Sequence, residues 1–373
     1  MRRSVIIPLL LAATGWLTAF AAAHEKGGED ETGPYDLVAN WPQPFPRPGY
    51  TWGSISSVMA DSPERILVGM RGQHKIPDKV PATFDGSWGS LGLDQRATVP
   101  PAEMRDCIFV LDGRGKLVES WTQWDHLFEY DSGGFGGPHT VKISPYDPER
   151  HVWVINEMKH EIYEFTNDGK RLVKTLGERG VAGDDQTHFG RPQDLAWLPD
   201  GTMLVADGLV NARIVKLDKN GKFLKAWGTK GSGQGQLSGP HAIAVDRNRR
   251  VYVADRGNHR IQVFDEDGNY LDIWPNLRQP DGIHIASDQT LWLNDGVTGR
   301  FLKYDLSGRL LSWWGVAGTF PGAHWELHTI SVDADGNLYT ADSYAGRLQK
   351  FRPKPGVDRE RLVGLVAQAI DRR

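Results

Sequence analysis

The sequence has one cysteine, Cys107, among 373 residues. An intramolecular disulfide is therefore excluded, and so is any cysteine-rich zinc or iron–sulfur site. No cysteine lies near the start, which excludes a lipoprotein signal. Charge of one sign is also lacking: 43 basic and 47 acidic residues leave a formal net charge of −4. Without a basic field, nucleic acid is not an expected partner. Disorder is excluded by ordinary globular composition, with 39% hydrophobic and 24% charged residues.

Glycine and tryptophan are plentiful, at 43 and 14 residues. Many turns and many aromatics lean toward an all-β repeat protein. The chain opens with Arg2-Arg3, an almost wholly apolar Val5–Phe20, and Ala21-Ala22-Ala23. This order reads as a secretory signal over 1–23, cleaved after Ala23. The run is short for a membrane span, which needs about 20 apolar residues. The expected location is periplasmic or secreted, with no membrane attachment after cleavage. Residues 24–34 (HEKGGEDETGP) are polar and read as a flexible leader.

The remainder is repetitive. GPHTVKI, RPQDLAWL, GPHAIAVD, QPDGIHIA and ELHTISVD align, with their third residues at 139, 193, 241, 281 and 328. Each leads into an alternating strand, a turn, and a second strand such as MLVAD, VYVAD, LWLND or LYTAD. Third strands (RIVKLD, RIQVFD) and fourth strands (FLKAWG, YLDIWP, LLSWWG) follow. Four short antiparallel strands per 40–50 residues make a propeller blade. A further unit comes first, from Ile55 to Trp121, interrupted by a long insertion from Gln73 to Asp106. The last unit lacks a fourth strand, while YDLVANWP (35–42) resembles YLDIWP. The prediction is an all-β six-bladed β-propeller over 35–356, closed by the N-terminal strand. A short amphipathic helix is expected over 357–373, with Leu362, Val363, Val366 and Ile370 on one side.

The repeat register carries the chemistry. The slot at the start of the inner strand reads Ser/Ile (54–56), His139, Gln193, His241, Asp281, His328. The histidines fall in blades two, four and six, about 120° apart around the axis. Three imidazoles would converge there, a ligand set that suits catalytic zinc and also other divalent ions. The residues after each second strand face the same end: Arg71, Glu157, Gly208, Arg256, Gly296 and Ser343. Arg71 and Arg256 would bind an anionic group; alternatively Asp255, Arg256 and the neighbouring Arg260 form ordinary blade salt bridges. His324 lies out of register with the triad and reads as structural, with an orienting role beside nearby His328 as the alternative. The recurring Asp207, Asp255, Asp295 and Asp342 read as acceptors for turn N–H groups. Trp121, Trp227, Trp274 and Trp314 read as packing between blades.

These units resemble NHL repeats. More narrowly, residues 50–352 resemble the lyase domain of peptidylglycine α-amidating enzymes, best over THFGRPQDLAWLPDGTMLVADG through VADRGNHRIQVF (187–264). The resemblance implies a catalytic zinc on His139, His241 and His328, and active-site arginines at Arg71 and Arg256. It implies cleavage of a C-terminal α-hydroxyglycine to a peptide amide and glyoxylate. The expected partner is thus a small-molecule or peptide substrate with a carboxylate, bound by a monomer. The chain departs from the family in three places. Leu209 stands where the family has its active-site tyrosine, leaving Tyr344 as the candidate base. Glu326 replaces a methionine. Thr329 replaces an aspartate that helps hold structural Ca2+, which argues against a calcium site. The alternative reading is a non-catalytic scaffold binding peptide, carbohydrate or protein.

Overall fold

The computed structural model describes residues 31–92, 102–129 and 136–366. The predicted signal, most of the predicted leader and the end of the tail lie outside the described residues. Six four-stranded antiparallel sheets form a β-propeller, and in five of them strand order follows chain order. Blade 1 begins at Ile55–Ser62, blade 2 at Thr140–Ile143 and blade 3 at Pro192–Trp197. Blades 4, 5 and 6 begin at Pro240–Val245, Pro280–Ile285 and Leu327–Val332. In blade 6 the outermost strand is Tyr35–Leu37, paired antiparallel with Arg347–Pro353 from the far end of the chain.

The hydrophobic core is divided among the junctions between blades. Blades 1 and 2, for example, enclose Val110, Phe109's neighbour Ile108, Val141 and Tyr163, while blades 4 and 5 enclose Tyr252, Ile261, Leu291 and Leu293. Alternation explains this: each strand sends one set of side chains to each face of its sheet, and both faces are covered by neighbours. One contact recurs at the rim. The fourth-strand Trp121, Trp227 and Trp274 each press on a positive-φ glycine in the next blade, Gly169, Gly268 and Gly308. Trp41 presses on Gly115 of blade 1 in the same way. The YDLVANWP segment therefore packs as its likeness to YLDIWP predicts. A Cβ at any of these glycines would collide with the indole.

Two expectations need correction. The predicted C-terminal helix is, over its described part, a 3-10 turn at Arg359–Arg361 followed by an extended segment. Val366 bridges Ala286 and the Ser287 N–H donates to the Leu365 carbonyl. The apolar side chains fit a cap on blade 5 better than a free helix: Val363 is 1% exposed and packs against Trp292 and Phe301. The leader is also ordered at its end. Residues 31–34 form a turn whose Gly33 abuts Trp314 and whose Gly33 carbonyl accepts from Lys354 Nζ at 2.9 Å.

Candidate metal centre

The slot residue of each inner strand is placed by a repeated irregularity. In blades 3, 4, 5 and 6 the ladder skips Gln193, His241, Asp281 and His328, and in blade 1 it skips Ser56. A bulge leaves one residue unpaired and re-aims its side chain. Proline before the bulge (Pro192, Pro240, Pro280) fits a strand's first position. Blade 2 starts its ladder one residue after His139, whose N–H donates to the Ile155 carbonyl at 2.7 Å.

The three imidazoles meet on the axis. Their ring centroids are 4.8–5.0 Å apart and the planes are steeply inclined to one another. One ligand nitrogen from each lies within 4.8 Å of the others. All three residues are buried. Each Nδ1 faces a main-chain carbonyl of the following blade: His139 to Gln193 at 2.8 Å, His241 to Asp281 at 2.7 Å, His328 to Ser56 at 2.6 Å. The acceptors are the slot residues of blades 3, 5 and 1. Even blades thus supply imidazoles, and odd blades supply the carbonyls that orient them. With Nδ1 carrying the proton, Nε2 presents its lone pair to the axis. Burial drives the His139 pKa down to about 4 and those of His241 and His328 well below the usual value, with Arg71 and Arg256 adding to the effect. Three neutral, pre-oriented imidazoles are a donor set that fits a divalent metal ion.

Around this centre the residues after the second strands form a charged mouth. Glu157 is 2% exposed. Its Oε1 takes Arg71 Nη2 at 3.0 Å, and its Oε2 takes Arg191 Nη2 and Gln193 Nε2, both at 2.9 Å. Burial works to raise the Glu157 pKa, but the Arg71 and Arg191 guanidiniums and the Gln193 amide hold it below the usual carboxylate range. Across the axis, Arg256 Nη1 bonds Asp281 at 3.2 Å. Gln279 Nε2 links Asp281 to Glu326 at 2.9 and 3.4 Å. Glu326 also accepts from Ser343 and Tyr344. Burial raises both acids, Asp281 to about 6, and the Asp281 charge raises Glu326 further. Blades 1–3 thus place two guanidiniums around one carboxylate, and blades 4–6 two carboxylates beside one guanidinium. The insertion after Gln73 reaches this end: Gly89 donates to the Ala345 carbonyl at 2.7 Å and Asp85 pairs with Arg347 at 2.8 Å. On the other side of the histidines the axial cavity, about 150 Å³, runs toward Val366.

A sequence model of the NHL repeat matches residues 237–264. Mouse NHL repeat-containing protein 3 is 34% identical over 233 residues, covering 58% of this chain and 67% of that protein. The chain belongs to the NHL-repeat family. This NHL propeller is also 33% identical over 334 residues, 83% of its length, to mouse peptidyl-glycine alpha-amidating monooxygenase, but it spans only 31% of that protein. Over 262 residues it is 34% identical to Drosophila melanogaster peptidyl-alpha-hydroxyglycine alpha-amidating lyase 1, covering 60% of this chain and 46% of that one. A streptogramin B lyase structure shares the fold, with a TM-score of 0.51 and 12% identity over 86% of this chain and 97% of the other.

The NHL register brings His139, His241, His328, Arg71 and Arg256 into one site, with Tyr344 at its acidic edge through Glu326. His324 does not join them. It is fully buried beside Phe301, bonds Thr340 at 2.9 Å, and is held neutral by burial, with a pKa near 3. Carbonyls, not His324, orient the triad. Arg256 is separate from the Asp255–Arg260 pair, which closes at 2.7 Å. Asp207, Asp255, Asp295 and Asp342 accept turn N–H groups as expected. Sequence reasoning missed Arg191 and the pairing of Glu157 and Asp281 with the arginines. Extending the repeat register two residues upstream of the slot would have exposed Arg191.

Proposed function

We propose that this NHL propeller is a metal-dependent carbon–nitrogen lyase acting on an α-hydroxyglycine-type substrate, with zinc on His139, His241 and His328. The observation that carries the reading is the convergence of three neutral imidazoles, each with Nδ1 tied to a carbonyl and Nε2 free. The kinship with proteins named amidating lyases supports the reaction class. A divalent ion held there supplies Lewis acidity, which lowers the pKa of a substrate hydroxyl.

The chain's own groups do the rest. Arg71 and Arg256 bind anionic groups on opposite sides of the axis. Tyr344, bonded to Glu326, takes the hydroxyl proton and passes it to the carboxylate network. The carbinol O–H bond breaks as the carbonyl of glyoxylate forms. The C–N pair stays on nitrogen, which gains a proton and leaves as the amide. Atoms and charge balance without an oxidant.

Export fits the N-terminal segment, and the mature chain would begin at His24. The test is elemental analysis of the purified protein together with glyoxylate release from α-hydroxyhippurate. One bound transition metal per chain and glyoxylate formation are the expected results. Stoichiometric metal with no glyoxylate refutes the lyase reading, and no metal refutes the centre itself.

A further inference from the structure

We propose that the outer strand of blade 5 is a dimer edge, pairing antiparallel with the same strand of a second copy of this chain across a two-fold axis at Ser312. The pairing is independent of the metal centre, and it sets a dimer against the monomer expected from sequence.

Comparison of the six outer strands is the first ground. An unpaired sheet edge invites another strand, and proteins block it with a short strand or a charge. Blades 1 to 4 place Glu119, Lys174, Lys225 and Asp272 at the third position of Leu117–Ser120, Leu172–Leu176, Phe223–Trp227 and Tyr270–Trp274. Blade 6 ends in only three residues, Tyr35–Leu37, with Asp36 in the middle. Blade 5 ends in Leu310–Trp314 (LLSWW), which has no charge and carries Ser312 at the third position. That strand is last in its sheet, so no strand among the described residues pairs with its outer side. Leu310, Leu311 and Trp313 are 44%, 42% and 44% exposed. Where blade 5 has Trp313, blades 1 to 4 have the smaller Ser120, Thr175, Ala226 and Ile273.

Symmetry is the second ground, and it selects a second copy as the occupant. In a two-fold antiparallel pair the central residue meets itself. A charged centre would set like charges directly opposite, which is destabilising. The edges of blades 1 to 4 therefore oppose such pairing, and blade 5 permits it. With Ser312 at the axis, Leu311 of each copy lies opposite the partner's Trp313. Alternation puts both Leu–Trp pairs on one face, where the Arg300 guanidinium lies 4.2 Å from the Trp313 ring centroid. On the other face the partner's Leu310 lies opposite Trp314, beside a hollow of about 270 Å³ walled by Pro34, Lys303 and Arg361. The strand thus complements its own side chains.

The test is sedimentation velocity on the purified protein, with cysteine crosslinking. A five-residue edge makes a small interface, below about 1,200 Å², so the wild type should dimerise reversibly between about 1 and 100 μM. Ser312→Lys restores the kind of charge that Lys174 and Lys225 supply in blades 2 and 3. It should weaken dimerisation by about tenfold or more, with the melting temperature unchanged. Cys107, the one cysteine, is buried, so a thiol added at the edge reports alone. Under mild oxidation Ser312→Cys should give a disulfide-linked dimer, because facing Cα atoms lie about 4.5–5.5 Å apart. Leu310→Cys should not, since its copy lies four residues along the strand, about 13 Å away. A wild type that stays monomeric at about 100 μM overturns the proposal, as does a dimer that Ser312→Lys leaves intact. Where Ser312→Lys lowers the melting temperature, the crosslinking decides: a disulfide in Ser312→Cys alone upholds the edge, and equal crosslinking of both variants, or of neither, overturns it.

Discussion

Two kinds of buried histidine line the axial channel. At the charged end, His139, His241 and His328 tie Nδ1 to a carbonyl and leave Nε2 facing the axis. At the other end, His284 ties Nε2 to the Gly364 carbonyl at 2.7 Å, fastening the C-terminal segment. Burial lowers the pKa of all four, to about 4 for His139 and His284 alike. Residue type, burial and the direction of the pKa shift therefore do not separate a candidate metal ligand from a clasp. What separates them is which nitrogen the surrounding main chain occupies, and whether two more imidazoles share the remaining space.

The largest effect expected from breaking this contrast is at the triad. His241→Ala should abolish stoichiometric metal and reduce glyoxylate release to background, while His284→Gln retains both; elemental analysis and the glyoxylate assay read the difference. Next comes Glu157→Ala, which strands two guanidiniums in the mouth. A buried pair broken on one side costs about 3–5 kcal/mol, so denaturant melts should show that loss, with Glu157→Gln milder.

The clasp should respond to pH. His284 has a folded pKa of about 4, below its unfolded value near 6.5, so the unfolded state binds the proton more readily. Its contribution is full above about pH 6.5 and is lost as pH falls toward 4, by about 3 kcal/mol. His284→Gln keeps a donor to Gly364 without titrating, and thermal melts from pH 7.5 to 4 should be flatter by that amount. An unchanged slope would place the acid sensitivity elsewhere. The smallest effect is at Val363, 1% exposed in the same segment. Val363→Ala removes two methyl groups, worth about 1.5 kcal/mol, and should leave metal content untouched if the two ends are independent.

Much of the fold was legible because a repeat reports itself. The slot series 139, 193, 241, 281, 328 and the fourth-strand tryptophans define blades before any coordinates. The histidine triad was legible for the same reason, since equivalent positions in a closed ring must face one axis. His324 read as structural because it lies out of register with the triad, and Phe301 and Thr340 do surround it. The tail was misread from periodicity alone, because apolar spacing cannot distinguish a free helix from an extended strap laid on blade 5.

The sequence by itself determined the sheet count, the closing strand and the residues that point at the axis, since these follow from local alternation and repeat register. Only the tertiary structure decided which carbonyl meets which imidazole nitrogen and that one buried glutamate joins two arginines. Those pairings link residues from different blades, tens of positions apart, and no short-range pattern encodes them. Their geometry exists only once the ring has closed.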